Sequence, residues 1–303
     1  MFISLFATNF VINFFKQRSI KQYILQDAPQ THMVKQGTPT MGGVAIIFTI
    51  VITLLIHKTY LSPFVIITLF LLLGYAAIGA FDDLKKVLNQ QNLGLKATPK
   101  FILQILIASA FVGCLAASNH FASVSGVLGY LPPVVYYILL VFIIVGASNA
   151  VNLTDGLDGL AAGNLIIAFL GLMFFTFFQS DYNMLVMLLA VIGALFGFLW
   201  FNVNPARIFM GDTGSLALGA VLAGVAIIMH KELQLIILGI VFVFETLSVI
   251  LQVSYFKLTK GKRIFKMSPL HHHFELSGWT EPKIVLRFWM VGIVATLIAL
   301  NIG

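Results

Sequence analysis

Apolar and polar positions in this chain do not alternate finely. They come in blocks, long apolar runs separated by short polar gaps. Ten runs stand out, at roughly 2–15, 41–57, 63–81, 101–118, 132–149, 159–178, 184–201, 213–229, 233–256 and 284–302, most of them close to the ~20 residues that a helix needs to cross a bilayer. A helix satisfies its backbone N–H and C=O groups within the segment, which lipid demands. The pattern therefore predicts an all-α, polytopic membrane protein of about ten transmembrane helices, forming a single transmembrane domain over 1–303. The first run is the weakest. It spans only about 14 residues, contains Asn9 and Asn13, and is short enough to lie in the interface. It does not read as a secretory signal, because no basic residue precedes it and no small-residue cleavage site follows.

The polar gaps predict the orientation. One alternate set carries Lys16, Arg18, Lys21 and Lys35; Lys85, Lys86, Lys96 and Lys100; Arg207; and Lys257, Lys260, Lys262, Arg263, Lys266 and Lys283. The other set carries only Lys58 and Lys231. The positive-inside rule places the basic set in the cytoplasm and both termini outside it.

Composition agrees with this reading. Hydrophobic residues make up 59 % of the chain and charged residues 10 %, against about 25 % charged in a soluble domain. Cys114 is the single cysteine, so no disulfide forms within the chain. The net charge of +7 would suit nucleic acid in a soluble protein. With no soluble basic domain, topology and an anionic substrate explain it better.

The chemistry-bearing residues sit at the ends of the predicted spans, all on the predicted cytoplasmic face. Asp82-Asp83 with Lys85-Lys86 close the third span. Acids at a helix C-terminus oppose its dipole, so a metal or proton-transfer role would explain their placement. Asn149, Asn152, Asp155 and Asp158 step by three between the fifth and sixth spans, among Gly156, Gly159 and Gly163; that spacing keeps side chains on neighbouring helix faces. Asp212 opens the eighth span in Gly211-Asp212-Thr213-Gly214-Ser215, where capping alone could account for it. Together these clusters offer several carboxylates and amides beside many lysines. Oxygen ligands favour Mg²⁺ or Mn²⁺ over Zn²⁺, and lysines add point charges for phosphate. The combination points to phosphoryl transfer on a diphosphate.

His271-His272-His273 lies in the longest late gap. Consecutive residues do not all point one way, so the three rings suit hydrogen bonding to phosphate or sugar better than one shared Zn²⁺. Glu245, inside the ninth span, is read equally as a structural hydrogen-bonding group or as part of a substrate groove.

Several segments carry a resemblance: Asp27-Ala28-Pro29-Gln30-Thr31-His32, Gly37-Thr38-Pro39-Thr40-Met41-Gly42-Gly43, Phe81 to Lys86, Asn149 to Gly163, Asn202 to Gly219, and Ser268 to Trp279. Over about Gln26 to Arg287 the chain resembles the phospho-N-acetylmuramoyl-pentapeptide-transferases, within the polyprenyl-phosphate N-acetylhexosamine-1-phosphate transferases. Ser268 to Trp279, followed by Glu281-Pro282-Lys283-Ile284-Val285, is the stretch that looks specific to the muramoyl-pentapeptide branch.

The resemblance implies a ten-helix membrane enzyme of the bacterial cell membrane, dimeric and Mg²⁺-dependent, with its active site in a cytoplasmic cleft. It implies transfer of phospho-MurNAc-pentapeptide from UDP-MurNAc-pentapeptide to undecaprenyl phosphate, giving lipid I and UMP. By the same resemblance Asp212 and Asn152 hold Mg²⁺, Asp82 is the general base and Asp83 its essential neighbour. Lys35, Thr40, Lys86, Lys100, Asn149, Asn152, Asp155, Asp158, Asn202, His271, His272 and His273 fall at substrate-cleft positions. Asn204 receives no role. Two readings of the chemistry stay open: a single displacement, or an Asp nucleophile and a covalent intermediate. Two other functions remain: a sibling transferase using a simple UDP-N-acetylhexosamine, which the triple-His segment argues against, and a transporter. A transporter would place polar residues near the midplane, often in repeated halves; here they sit at span ends and no repeat is visible.

Overall fold

The structure, a computed structural model, describes residues 1–18, 37–89, 94–123 and 127–302. Lys35 and the segment Asp27–His32, both singled out above, lie outside the described residues. The described residues are helical, with no strand. The helices are α1 (Phe2–Gln17), α2 (Gly43–Ile56), α3 (Pro63–Leu88), α4 (Ala97–Ala117), α5 (Pro133–Thr154), α6 (Leu160–Phe178), α7 (Tyr182–Asn202), α8 (Gly211–Ile228), α9 (Glu232–Leu238), α10 (Ile240–Leu258), α11 (Leu270–Glu275) and α12 (Glu281–Ile302).

Each of the ten apolar runs is helical. Eight of the helices are long and apolar enough to cross a membrane: α3 to α8, α10 and α12. The helix α2 is apolar but only 14 residues long. The first run, α1, is not among the eight. It buries Ser4, Thr8, Val11, Ile12 and Phe15 on one stripe and exposes Phe2, Phe6, Phe10 and Phe14 on the other. The ninth run is interrupted at Gly239, which separates α9 from α10.

One helix organises the rest. Every residue of α8 from Thr213 to Ile228 is buried, and α8 packs against α2, α3, α5, α6 and α9. Its sequence, Gly211 to Ile228, is rich in Gly and Ala. Lipid tails are as apolar as a leucine side chain, so helix association in a membrane depends on close packing, and small residues permit it. Three glycine contacts show how. A Cβ on Gly43 of α2 would overlap the backbone of Gly214, one on Gly79 of α3 would overlap the backbone of Asp212, and one on Gly219 of α8 would lie 2.7 Å from the Ala147 carbonyl of α5. Two of these contacts fix where α2 and α3 meet the N-terminus of α8.

Two element boundaries differ from the sequence reading in ways that matter for the site. The helix α3 runs on to Leu88, beyond the apolar run. Asp82 and Asp83 therefore lie within it, and Lys85 and Lys86 occupy its last turn, where cations complement the dipole. Likewise α5 continues to Thr154, so Asn149 and Asn152 are helical while Asp155 caps the helix and Asp158 lies in the turn beyond. The step of three is a helical ladder only over its first half.

Candidate active site

The N-terminus of α8 begins with four unsatisfied N–H groups, as every helix does. Here a carboxylate from another helix satisfies two of them. Asp83 of α3 accepts from the Asp212 N–H at 3.1 Å and from the Thr213 N–H at 2.9 Å, and also from the Thr213 hydroxyl at 2.7 Å. Gly211 makes this approach possible. Its φ is +73°, a region open to glycine at little cost, and a Cβ there would stand 2.7 Å from Asp83 Oδ2. Asp83 is thus committed to shaping the helix start, and through it the placement of Asp212.

Asp82, the next residue back, serves differently. It is 2 % exposed. Its carboxylate accepts the Leu95 N–H at 2.9 Å and lies 2.6 Å from Lys86 Nζ and 3.6 Å from Lys100 Nζ. The loop before α4 comes this close because residue 94 is glycine; a Cβ there would overlap the Asp82 carboxylate. Asp212 completes the group. It pairs with Lys100 through Oδ2 and with Lys86 through Oδ1 at 3.1 Å, and it accepts from Asn152 Nδ2 at 3.0 Å. Asn152 also donates to Ser215 Oγ at 2.9 Å, and Ser215 donates to the Gly211 carbonyl at 2.9 Å. Four helices and one loop therefore hold Asp82, Asp83 and Asp212 with carboxylate oxygens within 4.8 Å of one another. Among the described residues this is the one group of His, Cys, Asp or Glu side chains close enough to hold a metal. Three carboxylates beside two ammonium groups leave one negative charge in surplus.

The remaining predicted residues divide. Thr40 is buried, and its hydroxyl lies beside Gly211 in the segment where Gly42 and Gly43 donate to the Phe209 and Met210 carbonyls at 2.8 and 2.9 Å. Asp155 borders the cluster. Burial first, then the negative charges of Asp212 and Asp83, push its carboxyl well above the usual carboxylate range, while the Gly211 N–H opposes the shift. His271 also faces this turn: a Cβ on Gly156 would overlap its Nε2.

Other predicted residues are engaged in holding loops. Asp158 accepts from Asn204 Nδ2 at 3.1 Å and from the Ala206 N–H at 2.9 Å. Asn202 accepts from the Gly159 N–H at 3.1 Å and donates to the Ile208 carbonyl at 2.9 Å. Asn149 donates to Gln104 Oε1 at 2.7 Å and to the Val145 carbonyl at 2.8 Å, not to the acid cluster. The three histidines diverge. His271 Nδ1 meets Glu245 Oε2 at 3.1 Å, His272 Nδ1 meets Glu275 Oε2 at 2.7 Å, and His273 Nδ1 accepts from the Lys266 N–H at 3.1 Å.

Sequence reasoning missed four contributors: Gly94, Gln104, Thr213 and Ser215. Gln104 is 1 % exposed, and it carried a signal, being the lone amide in the apolar stretch after Lys100. Thr213 and Ser215 stand in the same Gly211–Ser215 segment, where Asp212 alone was singled out. Gly94 gave no signal, because its role depends on which side chain lies opposite.

Comparison with known proteins identifies the family. Residues 65–230 match the family model described as glycosyl transferase family 4, and residues 35–47 match a phospho-N-acetylmuramoyl-pentapeptide-transferase signature. The phospho-N-acetylmuramoyl-pentapeptide-transferase of Bacillus subtilis (strain 168) is 45 % identical over 310 residues, covering 99 % of this chain and 94 % of the relative. Those of Bacillus pumilus and Bacillus thuringiensis are 47 % and 44 % identical with the same coverage. With a family model over more than half the chain and relatives this similar along nearly all of it, the chain belongs to the phospho-N-acetylmuramoyl-pentapeptide-transferase family, within glycosyl transferase family 4.

Proposed function

We propose that this protein transfers phospho-MurNAc-pentapeptide from UDP-MurNAc-pentapeptide to undecaprenyl phosphate, releasing UMP and forming lipid I, at the cytoplasmic face of a bacterial cell membrane. The observation that carries the reading is the buried group Asp82, Asp83 and Asp212 with Lys86 and Lys100, in a chain of this family. Family membership supports the donor and acceptor, and the distribution of Lys and Arg among the gaps supports the orientation. The active form is a homodimer in this reading, which light scattering in detergent would check.

The charge surplus and the all-oxygen donor set fit a hard divalent cation such as Mg²⁺. Asp212 would hold it, with Asn152 Nδ2 donating to the Asp212 carboxylate. When bound, Mg²⁺ supplies charge neutralisation for the diphosphate and the departing UMP.

The chain's own residues do the rest in one displacement. Asp82, between two ammonium groups and one backbone N–H, takes the proton from the undecaprenyl phosphate. The freed phosphate oxygen attacks the β-phosphorus of the donor. The bond between that phosphorus and the bridging oxygen breaks, and UMP leaves with the electron pair. Lys86 and Lys100 meet the growing negative charge. Asp83 keeps the start of α8 in place and touches neither substrate.

The test is UMP release by purified protein in detergent, given both substrates and Mg²⁺. Arms with EDTA, with UDP-N-acetylglucosamine as donor and without lipid acceptor run beside it. Metal-dependent release with the muramoyl donor alone is the expected result. Release only with the simple sugar would move the protein to the sibling reaction. Fast UMP release without lipid acceptor, with a trapped adduct, would replace the single displacement by a covalent route.

A further inference from the structure

A polar side chain within a span is costly unless its hydrogen bonds are met. Gln252 is such a residue. It lies in α10 (Ile240–Leu258), about 9 Å back from the helix end at ~1.5 Å per residue, and is buried. Its side chain bonds to the chain that follows the helix. Oε1 accepts the N–H groups of Ile264 and Phe265 at 3.0 and 2.9 Å, and Nε2 donates to the Phe265 carbonyl at 3.1 Å. The chain therefore leaves α10 at Leu258, reverses, and runs back beside the helix it has just left. Lys260 and Gly261 make the reversal, with φ of +54° and +118°, and the Gly261 N–H closes on the Phe256 carbonyl at 2.9 Å. Because α10 is long and apolar enough to cross a membrane, the returning segment lies at the height where that span leaves the lipid.

The outside of this segment is basic. Lys257, Lys260, Lys262 and Arg263 are all exposed. No Asp or Glu occurs between Glu245 and Glu275, and those two acids face His271 and His272. The four cations are therefore not balanced from within their own stretch of chain. Among them stand exposed apolar side chains, Leu258 at 84 % and Ile264 at 49 %, and the Arg263 guanidinium lies over the Phe256 ring, 5.9 Å from its centroid. Cations interleaved with apolar side chains, held against the end of a span, match the boundary of a bilayer, where phosphates and acyl chains meet. A soluble anion would satisfy the cations and leave Leu258 and Ile264 in water.

We propose that residues 257–264 form a docking surface for the headgroups of anionic phospholipids. Lys257, Lys260, Lys262 and Arg263 meet the phosphates, and Leu258 and Ile264 enter the acyl region. Gln252 is the clamp that holds the segment at headgroup height. Headgroup binding here does not depend on which substrates the acid cluster takes.

The test uses the full chain in nanodiscs of equal parts phosphatidylglycerol and phosphatidylcholine. The protein is released into mild detergent, and the lipids still bound are counted by mass spectrometry of the intact complex. Retention of phosphatidylglycerol over phosphatidylcholine is expected, and it weakens as salt is raised. Lys257→Gln, Lys260→Gln and Lys262→Gln together are expected to lower that preference by at least about 5-fold, the contribution of one basic residue close to an anionic leaflet. All three side chains are exposed, so the fold bears the change. A control with Lys16→Gln, Arg18→Gln and Lys58→Gln removes the same charge elsewhere and keeps most of the preference. Gln252→Leu leaves every charge in place but frees the segment from α10, and it lowers the preference as well.

Equal retention of the two lipids by the unsubstituted protein overturns the proposal. So does a loss in the control as large as in the triple variant, or an unchanged preference in Gln252→Leu. Displacement of the bound phosphatidylglycerol by an equal amount of undecaprenyl phosphate also overturns it, by assigning the cations to the acceptor lipid.

Discussion

The two ends of α8 are both polar and both enclosed, yet they are built on opposite plans. At its start stand three carboxylates and two lysines, with one negative charge in surplus. At its end stand His120, His230, Glu232 and Tyr136. The two imidazoles stack with ring centroids 4.7 Å apart, His120 Nε2 meets the Ile228 carbonyl at 3.0 Å, and Tyr136 donates to Glu232 at 2.6 Å. Phe64 and Phe121 pack against His120. One end gathers charge and leaves it available to a ligand. The other satisfies its single acid with a phenol O–H and packs rings beside it. Burial alone does not mark a functional site; an unbalanced charge held open by backbone geometry does.

The comparison breaks most sharply at Asp212. Asp212→Ala is expected to cut UMP release by about 10³-fold, the scale seen when a preorganised charge contact to the transition state is lost, while the protein still elutes as a folded species. Retained turnover would mean that the charge surplus is structural. Asp83→Ala sharpens the difference within the cluster. It leaves the Asp212 and Thr213 N–H groups without their acceptor, at about 1–3 kcal/mol. Both the melting temperature and turnover should fall, whereas Asp212→Ala affects turnover alone. Midway along the spine, Gly219→Val would press into the Ala147 carbonyl of α5 and cost about 1–3 kcal/mol by overpacking, read as a lower melting temperature.

The smallest effect belongs to the far end. Burial lowers the pKa of His120 and of His230 below the usual 6.5, and His230 lowers that of His120 further, while Glu232 opposes this. A histidine with a depressed folded-state pKa favours the neutral ring in the fold. Its stabilising contribution is present above pH 6.5 and is lost as pH falls through the folded-state value. Thermal stability in detergent should therefore decline on acidification below that pH, and His230→Phe should flatten the decline. Glu232, Lys231, Tyr136 and Tyr137 also surround this end, so the comparison is made against the same background in both proteins.

Much of this molecule was legible in its sequence because lipid imposes a simple rule. Apolar runs of the right length become helices, and all ten runs did. Polar clusters at their ends marked the site, since hydrocarbon tolerates no idle carboxylate. Within the clusters, residue type did not reveal allegiance. Asp82, Asp83, Asp155 and Asp158 look alike in the sequence, yet Asp83 caps a helix, Asp158 ties down the Asn204–Ala206 turn, and Asp82 faces two lysines. Likewise three consecutive histidines take three different partners, and the one anchored by Glu245 alone has a buried nitrogen without a hydrogen bond.

The sequence by itself determined the helical class, the positions of the apolar helices but for the break at Gly239, and the set of residues from which a site could be made. These depend on local quantities, the hydropathy of a run and the charge at its ends. Tertiary structure alone decided which carboxylate points where. That choice depends on the close crossings of α8 with α2 and α3 at Gly43 and Gly79, and a backbone contact between residues more than a hundred positions apart leaves no trace in the pattern of either segment.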